Sequence, residues 1–361
     1  MEPEKSVINR PRPSGDKLIL TDADPRRVRR IELWNLLEPI IVMALVLTGA
    51  WTLAVQYDYG SPQVLPLLVG ILLWALIFSP LVHYKYEKDL YLRPEDQNIW
   101  FYFFECRGMG SARRYFFSVD GQPPLWKQNK KFIAIMLAIW AVWGVLALIG
   151  FKDDYANILA KAHLGTDIGT MIGIGALLLA VVIPLLFVAL SVLCRFDNLA
   201  ENKNFVIIMF ALIIPLLVVF NLIFQAVPSS TWQSILGNYY KPPDAAERLT
   251  SWDFFGIMGQ YFGYFFWGWA QQFIFLGYFN TLFTKGIKNK KVRSIINGVF
   301  FGLIHIPSWG LVTLTIILGV IFSWQFSEHR NLFAFGLIHG FGGTMASRLL
   351  PIGFTVGPRS I

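Results

Sequence analysis

The sequence predicts an all-α protein, a polytopic transmembrane helix bundle of about eight or nine helices. Three observations carry this reading. Of the 361 residues, 55% are hydrophobic and 15% charged, whereas soluble chains are about half apolar and about a quarter charged. Apolar segments recur at the length a bilayer requires, about 20 helical residues for about 30 Å of hydrocarbon. The 31 Phe and 13 Trp suit residence in bilayers and at their surfaces. The mean hydropathy of +0.51 agrees. An ordinary soluble enzyme and a disordered chain are thereby excluded. So is a disulfide-rich secreted domain, because two cysteines cannot build a disulfide framework.

The elements follow in chain order. Residues 1–32 are polar and rich in Pro and Arg, which predicts a basic cytoplasmic tail and no cleavable signal peptide. Apolar spans are expected at 36–55, 64–82, 132–151, 170–194 and 205–226, a five-helix membrane region within 33–250. Between the second and third lies a long loop, 83–131, with two aromatic clusters, Trp100–Phe104 and Tyr115–Phe117. It reads as a structured cytoplasmic loop with aromatic anchors, and its basic residues favour anionic lipid. The segment 252–283 is apolar, aromatic and long enough to cross with a tilt or bend. Shorter spans follow at 294–306, 308–326 and 331–350, completing a second unit over 251–361.

Lysine and arginine counts orient the chain. The tail, the 83–131 loop with nine Lys and Arg, and the stretch 284–293 are strongly basic. The loop 56–63 has none, and 152–169 and 227–251 have two each. This alternation predicts a cytoplasmic N-terminus. It also accounts for the net charge of +8, so no nucleic acid partner is expected. The expected location is a bacterial cytoplasmic membrane. Oligomeric state is left open.

Strongly polar groups inside spans are the best functional pointers in such a chain. Three stand out: the pair Gln271 and Gln272, then His305, then His339. Measured along the helix, Gln272 lies roughly 20 Å from Lys285, His305 roughly 18 Å from Arg293, and His339 roughly 14 Å from Arg330. All three fall near mid-membrane, the condition for one shared site. The sequence Phe-Gly-Leu-Ile-His occurs at both 301–305 and 335–339. Gly298 with Gly302, and Gly336 with Gly340, give small faces on which helices approach closely. Two buried structural imidazoles would account for the same pattern.

A zinc site needs three or four good ligands. Here it would have His305 and His339, with no Asp or Glu at that depth. Gly108–Ser111 lies in the loop and Ser308 lies past Pro307, so a serine nucleophile is poorly placed.

At these residues the chain resembles the CAAX-protease and bacteriocin-processing (CPBP, or Abi) intramembrane peptidases. Members carry Glu-Glu-x-x-x-Arg, then Phe-x-x-x-His, then a His followed four residues later by Asn or Asp. Phe301–His305 is similar to the second motif. The run from Gly319 through Asn331 to His339 is similar to the third, and the resemblance covers about 252–350. Gln271 and Gln272 stand where the family has its Glu pair, Leu276 where it has Arg, and Gly343 where it has Asn or Asp.

The resemblance implies an intramembrane endopeptidase that processes a membrane-bound or lipidated peptide. In the family a Glu activates water together with the first His, and the second His with the Asn steadies the oxyanion. A neutral amide cannot act as general base. The loss of Arg alongside both Glu leaves no unpaired buried charge. Three readings follow. The first is an active peptidase with His305 as base and Gln272 and His339 as oxyanion donors. The second is an inactive relative that binds a transmembrane peptide or lipid. The third is a scaffold of a membrane complex whose histidines are structural. Zinc is the candidate metal, and membrane lipid and a transmembrane or lipidated protein are the expected partners.

Overall fold

The computed structural model describes residues 24–50, 73–91, 199–228, 254–306 and 309–349, with scattered positions elsewhere. Among them there is no strand; the architecture is all-α. The spans expected at 132–151 and 170–194, the aromatic clusters of the long loop, Gly108–Ser111 and Ser308 lie outside or almost wholly outside the described residues.

Helix α1 is Pro25–Leu45, followed by a π turn at Val46–Ala50. The Asp24 carboxylate accepts from Arg26 N at 2.9 Å, and Pro25 takes the first helical position, where its missing N–H costs nothing. Residues 25–32, read from their charge as tail, are therefore helical. A π turn at Trp74–Phe78 runs into α2, Ser79–Tyr91. Residues 83–91, assigned by charge to the long loop, continue this helix, and His83 and Glu87 are buried in it.

Helix α3 is Leu199–Ala226. The expected long segment at 252–283 is one rod: α4 (Phe254–Gln272), a π segment (Phe273–Asn280) and α5 (Thr281–Gly286). Helix α6 is Lys290–Leu303, capped by Asn289, whose side chain accepts from Lys291 N and Val292 N. Helices α7, Trp309–Glu328, and α8, Leu332–Leu349, are the last described elements. The Asn331 side chain caps α8 by accepting from Ala334 N at 3.0 Å. Pro25–Gly49, Asn202–Ile223 and Leu311–Glu328 are long and apolar enough to cross a membrane. On α3, Ile207, Leu212 and Leu222 are exposed, as on a face that meets lipid.

Glycine sets the closest packing. A Cβ added at Gly298 would lie 2.7 Å from Val320 N and 2.8 Å from Ile316 O, so α6 and α7 touch backbone to backbone. A Cβ at Gly340 would lie 2.7 Å from Phe265 Cα, which joins α8 to α4 in the same way. Helix α3 covers α8 through Phe210, stacked on Phe341 at 4.3 Å.

The start of α1 packs on α5, where a Cβ at Gly286 would lie 3.1 Å from Glu32 O. Arg27 pairs with Asp89, and Lys285 with Glu87. The basic start of α1, the end of α2 and the basic turn between α5 and α6 thus share one end of the bundle, which the charge counts had placed on one side of the membrane.

Candidate functional site

The polar residues singled out by depth converge where α4, α6 and α8 meet. Gln272, the last residue of α4, is buried, and its Nε2 donates to His339 Nδ1 at 2.8 Å. Close packing enforces this approach: a Cβ at Gly268 would lie 2.8 Å from the His339 ring. His305 stands just past α6, where its Nδ1–H donates to the Phe301 carbonyl at 2.9 Å. The Thr315 hydroxyl, which donates to Leu311 O at 2.6 Å, lies 3.2 Å from the same nitrogen. Phe301 is the shared floor: the His305 ring is edge-on to it at 5.3 Å and the His339 ring at 5.6 Å. Both histidines are half-buried.

These bonds assign opposite roles to the two rings. A carbonyl oxygen only accepts, so His305 carries its proton on Nδ1 and offers a lone pair at Nε2. An amide nitrogen only donates, so His339 accepts at Nδ1 and carries its proton on Nε2. The pair presents one base and one donor, with no charge required on either ring.

Of the two glutamines, the structure brings Gln272 to a histidine and leaves Gln271 apart. Gln271 Oε1 is buried and meets no hydrogen-bonding group among the described residues. Leu276 is buried in the π segment. A Cβ at Gly343 would lie 2.6 Å from the Tyr264 ring, so no longer side chain fits there without displacing that ring. As a metal site the donor set is short: two imidazole nitrogens and a neutral amide do not make the three or four ligands zinc takes. Among the described residues no group of three or more His, Cys, Asp or Glu could hold a metal ion.

A second polar cluster escaped the sequence reading. His83 Nε2 lies 2.6 Å from Glu38 and its Nδ1 2.5 Å from Glu87. Glu87 also accepts from Asn35 at 2.6 Å and pairs with Lys285. Glu38 accepts from Tyr278 at 2.6 Å and from Trp74 at 3.1 Å. All four ionisable groups are buried, and they bind α1 and α2 to the π segment and α5. Only the spacing of His83 and Glu87, four apart on one helix, was visible locally.

A bundle of apolar helices, three of them long and apolar enough to cross a membrane, marks an integral membrane protein. A family model described as Type II CAAX prenyl endopeptidase Rce1-like matches residues 253–345, the stretch that carries Gln272, Phe301, His305 and His339. The resemblance read from the Phe-x-x-x-His and second histidine blocks is thus borne out over this core. No curated protein and no solved structure matches the chain.

Proposed function

We propose that the chain is an intramembrane endopeptidase of the CAAX type that cleaves a membrane-bound or lipidated peptide without a catalytic carboxylate. The observation that supports this most is the contrast at the two Nδ1 atoms, His305 bonded to the Phe301 carbonyl and His339 to the Gln272 amide nitrogen. His305 Nε2 is free to take a proton from an attacking water. His339 Nε2–H, held in that tautomer by the 2.8 Å bond from Gln272, is free to donate to the carbonyl oxygen as it becomes an oxyanion. The proton taken by His305 then passes to the leaving amine. No step uses a metal. In this reading the N-terminus is cytoplasmic, the membrane is a bacterial cytoplasmic membrane, and its lipids contact the exposed apolar faces.

One observation favours a second reading, an inactive relative that binds a transmembrane peptide or lipid. Among the described residues no carboxylate accompanies the pair, and a general base or acid is worth about 10²–10⁴ in rate. A photo-crosslinking trap separates the two. If the chain cleaves, the His305→Ala variant in native membranes accumulates crosslinks to an intact partner that the unmodified chain shows only as fragments. Equal crosslinking to an intact partner by both forms would support the binding reading and overturn the peptidase one.

A further inference from the structure

Helix α6 buries polar atoms that its neighbours leave unanswered. Ser294 and Asn297 are both 0% exposed. Ser294 Oγ and both amide atoms of Asn297 meet no hydrogen-bonding group among the described residues. The residues are three apart, so all these atoms project from one face within one turn. Buried polar groups are paired with protein or with ordered water in the great majority of cases, and an exception calls for a specific explanation.

The surroundings point to water. Asn297 lies one turn from Arg293 on one side and one turn from Phe301 on the other. Arg293 donates to Ile287 O at 3.1 Å and to Ser327 Oγ at 3.4 Å. Across from this face, Ser323 Oγ donates to Asn280 Oδ1 at 2.9 Å, and Asn280 Nδ2 donates to Ser327 Oγ at 3.4 Å. The packing of Gly298 on Val320, and of Arg293 on Ser327, brings Asn297 into register with the turn that holds Ser323. This register places polar side chains of α6, α7 and the π segment in one layer inside an apolar core. A buried water needs two to four polar partners, and such a layer supplies them.

We propose that Ser294 and Asn297 hold buried water in this layer, between the basic end of the bundle and the Phe301 floor of the histidine pair. Its purpose rests on the peptidase reading, because hydrolysis consumes one water per peptide bond and hydrocarbon supplies none. The binding of water does not depend on that reading.

The test is water-edited solid-state NMR on the full chain in lipid bilayers, labelled with ¹⁵N-asparagine. Asn35 is the reference. It is equally buried and its Oδ1 likewise meets no hydrogen-bonding group among the described residues, but both of its amide N–H bonds are taken, by Glu87 at 2.6 Å and by Ile31 O at 2.8 Å, so water cannot accept from that nitrogen. The Asn297 side-chain amide is identified by the loss of its signal in Asn297→Ser, or in Asn297→Asp if that variant does not insert. The expected result is transfer of magnetisation from water to the Asn297 amide several-fold faster than to that of Asn35. Equal slow transfer to both would overturn the proposal. A rise in melting temperature in Asn297→Leu would also overturn it, because removing an amide from a dry core relieves an unpaired group. No cleavage is measured, so a failure here is distinct from a failure of the peptidase reading.

Discussion

Replacing Glu87 by Gln removes one charge from a cluster whose other members stay buried. In the intact chain the Glu87 carboxylate accepts from Asn35 at 2.6 Å, lies 2.5 Å from His83 Nδ1, and pairs with Lys285. The Lys285 and Glu87 side chains are 4% and 1% exposed, so water cannot take over as the partner of either. Breaking one partner of a buried pair costs about 3–5 kcal/mol, because a charge is left uncompensated. Removing both partners is often near neutral. Glu87→Gln should therefore lose about 3–5 kcal/mol, and Glu87→Gln/Lys285→Met should recover part of it, with a coupling of about 0.5–3 kcal/mol. Denaturant unfolding in mixed micelles, followed by tryptophan fluorescence, measures all four corners of the cycle. A single variant within about 0.5 kcal/mol of the parent, or strictly additive losses, would refute the idea that this cluster clamps α1 and α2 to the core.

Other consequences follow from the same geometry. Gly298→Ala should destabilise by about 1–3 kcal/mol, because its Cβ meets Val320 N at 2.7 Å and backbone must shift to admit it; an unchanged melting midpoint would contradict the backbone contact. Gln272→Leu should lower cleavage by about 10²-fold by freeing the His339 tautomer, with the yield of new termini as readout and unimpaired yield as the refuting result. Asp89 accepts from both Arg27 terminal nitrogens, at 2.7 and 2.8 Å, and that hydrogen bonding holds its carboxyl below the usual range. A depressed carboxyl stabilises the fold above its unfolded value of about 4, and that stability is lost as the pH falls through the lower folded value. Both side chains are 43% exposed, so the contribution is about 0.2–1 kcal/mol. Asp89→Asn should flatten the acid limb of the stability profile by that amount, and an identical limb would contradict the pairing.

The C-terminal core was the most legible part of the sequence. Helical rise is linear, so counting residues from Arg293, Lys285 and Arg330 placed His305, Gln272 and His339 at one depth, and α4, α6 and α8 do bring them together. The small faces were readable for the same reason: Gly298 and Gly340 recur at helical spacing. Charge counting failed where charges are buried. His83, Glu87 and Lys285 were assigned to loops because isolated ionisable residues belong in water. Their partners lie 45, 52 and 198 residues away in the chain, a separation that no local pattern reports. The protonation of the two imidazoles was equally hidden, because it is fixed by Phe301 O and by one of two adjacent glutamines. Depth pointed to Gln272 as an oxyanion donor, but its bond to His339 Nδ1 depends on packing between α4 and α8 that no local pattern reports.

The most direct test of the histidine site is a comparison of protein termini across the native membrane proteome in three strains. They carry the intact gene, a deletion, and the His305→Ala/His339→Ala variant checked for stable insertion. A peptidase built on these residues predicts termini that appear with the intact gene and vanish in both other strains. Identical termini in all three would contradict cleavage at this site and leave binding as its only role.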